Sequence, residues 1–140
     1  MPENPYQKYK KTRFETANRE KLILMLYEGA IKSLNHAKKG MEEDNIELIN
    51  ESLKKSQDII NELMVSLNPE AGEIATNLYS LYDYMQRRLI EANLKKEIEP
   101  VKEVKKMVEE LHETWKEAML QVHKTKYAGQ KKQGGFSLEG

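Results

Sequence analysis

The chain has 140 residues, enough for one domain with a single core, and its 23 basic and 23 acidic side chains cancel. Residues 1–17 hold four basic against two acidic side chains and residues 124–140 hold four against one, so the stretch between them is five charges negative, a poor footprint for nucleic acid. The absence of cysteine excludes disulfides and thiolate metal sites, and the longest apolar run, Leu22 to Tyr27, is far too short to cross a bilayer. No signal-peptide core follows Met1, so a cytoplasmic (cytosolic) protein without membrane insertion is expected.

Four helical segments follow one another. The first is expected to begin at Asn18, a good N-cap, with Leu22, Ile23, Leu26, Ala30, Ile31, Leu34 and Ala37 at helical spacing and Gly40 as C-cap, or with a run on to Glu43. The second opens at Asp44. Its residues Ile46, Ile49, Leu53, Ser56, Ile60, Leu63 and Leu67 step by 3,4,3,4,3,4, a heptad seam with Ser56 its one polar member. Leu48 and Ile59 lie together on one flank of that seam. Asn68-Pro69 ends the segment and starts the next, Asn68 as cap and Pro69 in the first turn.

The third segment, Pro69 to Asn93, is the most telling. At about 100° per residue, Ile74, Ala75, Leu78, Leu81, Tyr82, Met85, Leu89 and Ala92 fall on one core-facing stripe. Tyr79 and Ile90 then lie on one flank and Tyr84 well round the other side. Three large apolar residues off the stripe exceed what one core needs and suggest a protein-binding surface. The fourth segment starts near Glu99-Pro100 and repeats the 3,4 alternation through Val101, Val104, Val108, Leu111, Trp115, Ala118 and Val122.

Short connections between amphipathic helices predict an all-α, antiparallel up-down-up-down four-helix bundle over 18–124, preceded by an N-terminal arm (1–17) and followed by a flexible, basic, Gly-rich tail (125–140). No alternating strand pattern competes with this.

Catalytic signals are weak. Glu109-x-x-His112 has the spacing of one di-iron ligand pair, but such a site takes two of these motifs plus two further glutamates, and neither His36 nor His123 follows a Glu at that spacing. Asp83 and Arg87 form an ordinary i, i+4 pair. Neither a metal nor any other cofactor is expected, nor is enzymatic activity. Tyr27 and Tyr82 read as core edge. Tyr79 and Tyr84 cannot both face one core, and tyrosine suits a surface anchor because it offers large contact area at small entropic cost.

The motif Gly72-Glu-Ile-Ala-Thr-Asn-Leu78, with Leu81-Tyr-Asp-Tyr-Met85, Arg87-Arg-Leu89 and Ala92-Asn93, resembles the flagellin-export chaperone family FliS. Leu24-Met-Leu-Tyr-Glu-Gly-Ala30 and Trp115-Lys116 extend the resemblance over roughly residues 5–122. One departure is Asn18-Arg19 where many members have Ser-Pro. The resemblance implies a cytoplasmic chaperone that binds the disordered C-terminal region of flagellin, prevents premature polymerisation and aids delivery to the flagellar type III export apparatus. Other flagellar regulators or export components are candidates for further partners. Asn4-Pro-Tyr6-Gln-Lys-Tyr9 looks like the family's N-terminal element, implicated in flagellin binding. The expected partner-binding residues are Tyr6, Tyr9, Leu48, Ile59, Tyr79, Tyr84 and Ile90. The alternative is a self-associating helical adaptor or regulatory protein that binds a different, folded partner.

Overall fold

The computed structural model describes the backbone of residues 5–134 and the side chains of residues 18–122 and Lys124. Among them four long helices carry the fold: α1 (Pro5–Glu42), α2 (Ile46–Val65), α3 (Glu73–Lys95) and α4 (Ile98–Gly134), with a single 3-10 turn, Pro69–Ala71, between α2 and α3. Each helix packs on its chain neighbours and α4 closes the ring against α1, while the backbones of diagonal pairs stay apart. This is an antiparallel up-down-up-down bundle. No helix among the described residues is long and apolar enough to cross a membrane.

The ends of the helices depart from the sequence reading. Helix α1 begins at Pro5 rather than Asn18, and α4 continues to Gly134 rather than stopping near Lys124. Pro5 sits in the first turn, where a missing N–H costs nothing, and neither Pro nor Gly separates it from Asn18. A residue that caps well is also tolerated inside a helix, at a few tenths of a kcal/mol (~0.5). Between α1 and α2, Asp44 takes a left-handed φ of 53°, so the cap passes to Asn45, whose side chain accepts a hydrogen bond from the Leu48 N–H at 3.1 Å. Lys96, with φ 51°, ends α3 in the same left-handed manner.

The core is a continuous apolar column. Leu34, Leu53, Ile60, Met85, Leu89, Val101, Val104 and Val108 are all fully buried. The polar seam residue Ser56 is explained by its partner: its hydroxyl lies 2.6 Å from that of Ser33 on α1, so one serine donates to the other, and the second donates its proton to a carbonyl of its own helix, that of Ser52 for Ser56 or that of Ala30 for Ser33. Gly40 allows α1 and α2 to approach closely. A Cβ there would lie 3.0 Å from the Ile49 backbone nitrogen. On the opposite side, α3 and α4 are joined by Arg88, whose guanidinium meets Glu103 and Glu91 at 2.6 Å each. Several stripe residues expected in the core are instead exposed: Leu22, Ile46, Ile74, Leu81, Ala118 and Val122.

Candidate functional site

Helix lengths determine where the bundle opens. Helices α1 and α4 have 38 and 37 residues, whereas α2 and α3 have 20 and 23. At the end that holds the α1–α2 and α3–α4 connections, α1 and α3 finish where α2 and α4 begin. At 1.5 Å per residue, α1 and α4 therefore outrun the α2–α3 hairpin by about 20 Å or more. The hairpin turns over at Asn68-Pro-Glu-Ala-Gly72. The Asn68 side chain accepts from the Glu70 N–H at 3.0 Å, and Gly72 takes φ 66°, ψ −126°, a conformation costly for any residue with a Cβ. The corner is tied down on one side by Arg19, which donates to the Ser66 carbonyl at 3.0 Å.

Beneath this corner lies a cleft of about 280 Å³. Its walls come from three helices and the α2–α3 connection: Ile23 and Tyr27 of α1, Leu67 and Ala71 of the connection, then Ile74, Ala75, Leu78 and Tyr82 of α3, and Trp115 of α4. Arg19, Glu20, Ser66 and Asn68 form its polar margin. The Trp115 indole N–H donates to the Glu20 carbonyl at 3.3 Å, which fixes the ring across α1. Ile74 is 67% exposed, a large apolar side chain with little to cover it. The Tyr27 and Tyr82 hydroxyls lie 2.6 Å apart, and both residues are buried. Burial pushes both phenols above the ordinary tyrosine value, so both remain protonated at neutral pH.

On the outer side of the corner a shallower groove of about 400 Å³ runs between α2 and α3, lined by Met64, Pro69, Thr76 and Tyr79, and shares Leu67 and Ala75 with the cleft. A third depression, about 180 Å³, lies between α1 and α4, lined by Leu24, Lys116, Met119 and Leu120. Apolar surface thus surrounds one end of the bundle.

The residues expected to bind a partner do not form one patch. Tyr79 and Ile90 are both about half exposed, and eleven residues, about three turns, bring them to the same side of α3. Leu48 and Ile59 are half-buried and face α1: a Cβ on Gly40 would come within 3.3 Å of Leu48, and one on Gly29 within 3.4 Å of Ile59. Tyr84 points the other way round α3, and its hydroxyl donates to Glu103 Oε2 at 2.9 Å. The side chains of Tyr6 and Tyr9 lie outside the described residues. The cleft itself was not anticipated. Ile74, Tyr82 and Trp115 read as core from their spacing and Tyr27 as core edge, and the four expected segments, similar in length, gave no hint of an opening.

The electrostatics of the α3–α4 seam are those of a brace. Lys95, then Arg88, holds the Glu91 carboxyl below the usual glutamate range, and Arg88 does the same for Glu103. The Glu103 carboxylate raises the Tyr84 phenol. Among the described residues no cluster of His, Cys, Asp and Glu could hold a metal ion. His112 is not a free surface residue. It turns into the α1–α4 seam, where its Nε2 faces Glu28 at 3.9 Å without a hydrogen bond.

Comparison with known proteins points in one direction. A family model described as "Flagellar protein FliS" matches residues 2–122. The flagellar secretion chaperone FliS of Bacillus subtilis (strain 168) is 37% identical, over 89% of this chain and 93% of its own length. The proteins of that name from Escherichia coli (strain K12) and Salmonella typhimurium are 37% and 40% identical, over 75% and 73% of this chain and 79% and 77% of theirs.

Proposed function

The chain belongs to the FliS family, whose characterised relatives are flagellar secretion chaperones, and from that premise we propose that it binds the disordered C-terminal region of flagellin at the open end of its bundle. Bound there, the flagellin segment is withheld from filament contacts until delivery to the flagellar type III export apparatus. The supporting observation is the apolar surface around the Pro69–Gly72 corner: an apolar cleft beneath it, an apolar groove outside it, and a largely exposed Ile74 at the start of α3.

The physical mechanism needs no catalysis. The apolar positions of a filament subunit's tail pack against other subunits, and in the free monomer they have nothing to pack on. A chaperone that offers apolar grooves lets those positions bury as short amphipathic helices. Each large side chain removed from water contributes about 1.5–3 kcal/mol before ordering costs, so several anchors are required for micromolar affinity. Ile74, Leu78 and Trp115 of the cleft, Tyr79 of the outer groove, and Ile90 farther along the same side of α3 are the proposed contacts. Leu48, Ile59 and Tyr84 contribute through the shape of the bundle, Leu48 and Ile59 because they pack against α1 and Tyr84 because its hydroxyl is bound to Glu103. Tyr6 and Tyr9 are proposed as the segment that rearranges when the guest binds.

Calorimetric titration with a peptide of the flagellin C-terminal segment tests this reading. The wild-type chain is expected to bind, and Ile74→Asp to bind at least about tenfold more weakly. Equal affinity for the two chains would remove the cleft from the interface. Self-association is the second reading, favoured by the exposed Leu22 and Met25 of α1 and Leu120 and Val122 of α4. A stable dimer in sedimentation, lost in Met25→Glu, would support it.

A further inference from the structure

The cleft is apolar over most of its wall, and its margin is largely committed: Arg19 to the Ser66 carbonyl, Asn68 to the Glu70 N–H, and the Trp115 indole to the Glu20 carbonyl. The exception is the pair Tyr27 and Tyr82, contributed by the diagonal helices α1 and α3. Two phenols carry two donor protons, and their mutual bond of 2.6 Å uses one of them. The other proton is not donated to any side chain or carbonyl among the described residues. A donor left unmatched in an apolar site costs about 1–3 kcal/mol, which is recovered when an acceptor arrives.

Resting on the flagellin reading above, we propose that the Tyr27–Tyr82 hydroxyl pair is the polar recognition point of the cleft, donating its spare proton to a carbonyl oxygen of the guest. The guest is thereby defined by chemistry. It is an apolar segment that brings one carbonyl acceptor into the cleft, either a main-chain carbonyl freed at the end of a guest helix or the side-chain amide of Asn or Gln. A purely apolar segment would strand the donor and bind less well. The same pair sets the depth at which the guest stops. Because burial keeps both phenols protonated, the donor persists across the neutral range.

The double variant Tyr27→Phe with Tyr82→Phe tests this directly. It keeps both rings and the shape of the cleft and removes both hydroxyls. Titrated with a peptide of the flagellin C-terminal segment, it is expected to bind about tenfold more weakly than wild type, a change of about 1.4 kcal/mol, while its thermal melt stays cooperative. The single variants each keep one hydroxyl and are expected to bind within about threefold of wild type. A merely structural pair would move the melt and leave the affinity unchanged. A second measurement uses the wild-type chain alone: proton NMR should show one exchange-protected tyrosine hydroxyl in the free protein and two in the complex. Unchanged affinity in the double variant, or a single protected hydroxyl in the complex, overturns this inference and leaves the flagellin reading standing. Failure of the wild-type chain to bind the peptide overturns both.

Discussion

The two ends of the bundle are built from the same heptad grammar and end up physically different. Near the α1–α2 and α3–α4 connections, Leu34, Ala37, Ile49, Leu53, Leu89, Ala92, Val101 and Val104 are surrounded by four helices and sealed from water. Near the Pro69 corner, Leu22, Ile74 and Val122 occupy equivalent stripe positions and remain about half exposed or more. The difference is one of coverage. At the first end four helices stand side by side, and at the second α1 and α4 continue while the short α2–α3 hairpin turns back. The closed end therefore carries stability, and the open end holds apolar surface available to a guest.

That division makes unequal demands on substitutions. Leu34→Ala or Leu53→Ala at the closed end should cost about 2–5 kcal/mol in urea unfolding, because each leaves a void in a dry core. Ile74→Ala should cost well under about 1 kcal/mol, since the side chain is already wet. Comparable losses at the two ends would break the distinction. Gly40→Ala should cost about 1–3 kcal/mol, because the new methyl meets the Ile49 backbone nitrogen at 3.0 Å and one helix must shift. A neutral result would show that the closed end is packed more loosely than its geometry indicates.

The smallest effect lies in the α3–α4 brace. Glu91 and Glu103 have lowered folded-state pKa values, Glu91 chiefly through Lys95 and Glu103 chiefly through Arg88. A depressed carboxyl contributes stability that is fully present above its unfolded value, about 4.3, and is lost as pH falls through the lower folded value. Glu103→Gln should therefore reduce the melting temperature by a few degrees at most at pH 7, because the pair is partly exposed and screened. The gap should close as wild type is acidified below about pH 4. A gap independent of pH would assign the effect to packing and not to charge.

Much of this was legible in the chain. Heptad spacing identified the four helices, and the α2 seam from Ile49 to Leu63 is buried as expected. Tyr79, Tyr84 and Ile90 lie outside the core, where their angles placed them. What the spacing could not convey is what stands opposite a given face. Ile74 and Leu89 share a stripe, and only the three-dimensional lengths of α2 and α3 decide that one is wet and the other dry. The Tyr27–Tyr82 pair is invisible for a related reason, since 55 residues of chain separate hydroxyls that meet at 2.6 Å. The helix ends were misjudged where a good cap, Asn18, did not act as one. The flagellin client rests on kinship and apolar surface together, and neither could be resolved to a groove before the corner at Pro69–Gly72 was seen.

The central claim is that a flagellin tail occupies the open end. The most direct test is NMR on the isotope-labelled chain titrated with an unlabelled peptide of the flagellin C-terminal segment. Shifts are expected at Ile23, Ile74, Leu78 and the Trp115 indole N–H, with Leu34, Leu53, Leu89 and Val101 undisturbed. Shifts confined to the end near Asn45 and Lys96, or no shifts at all, would contradict it.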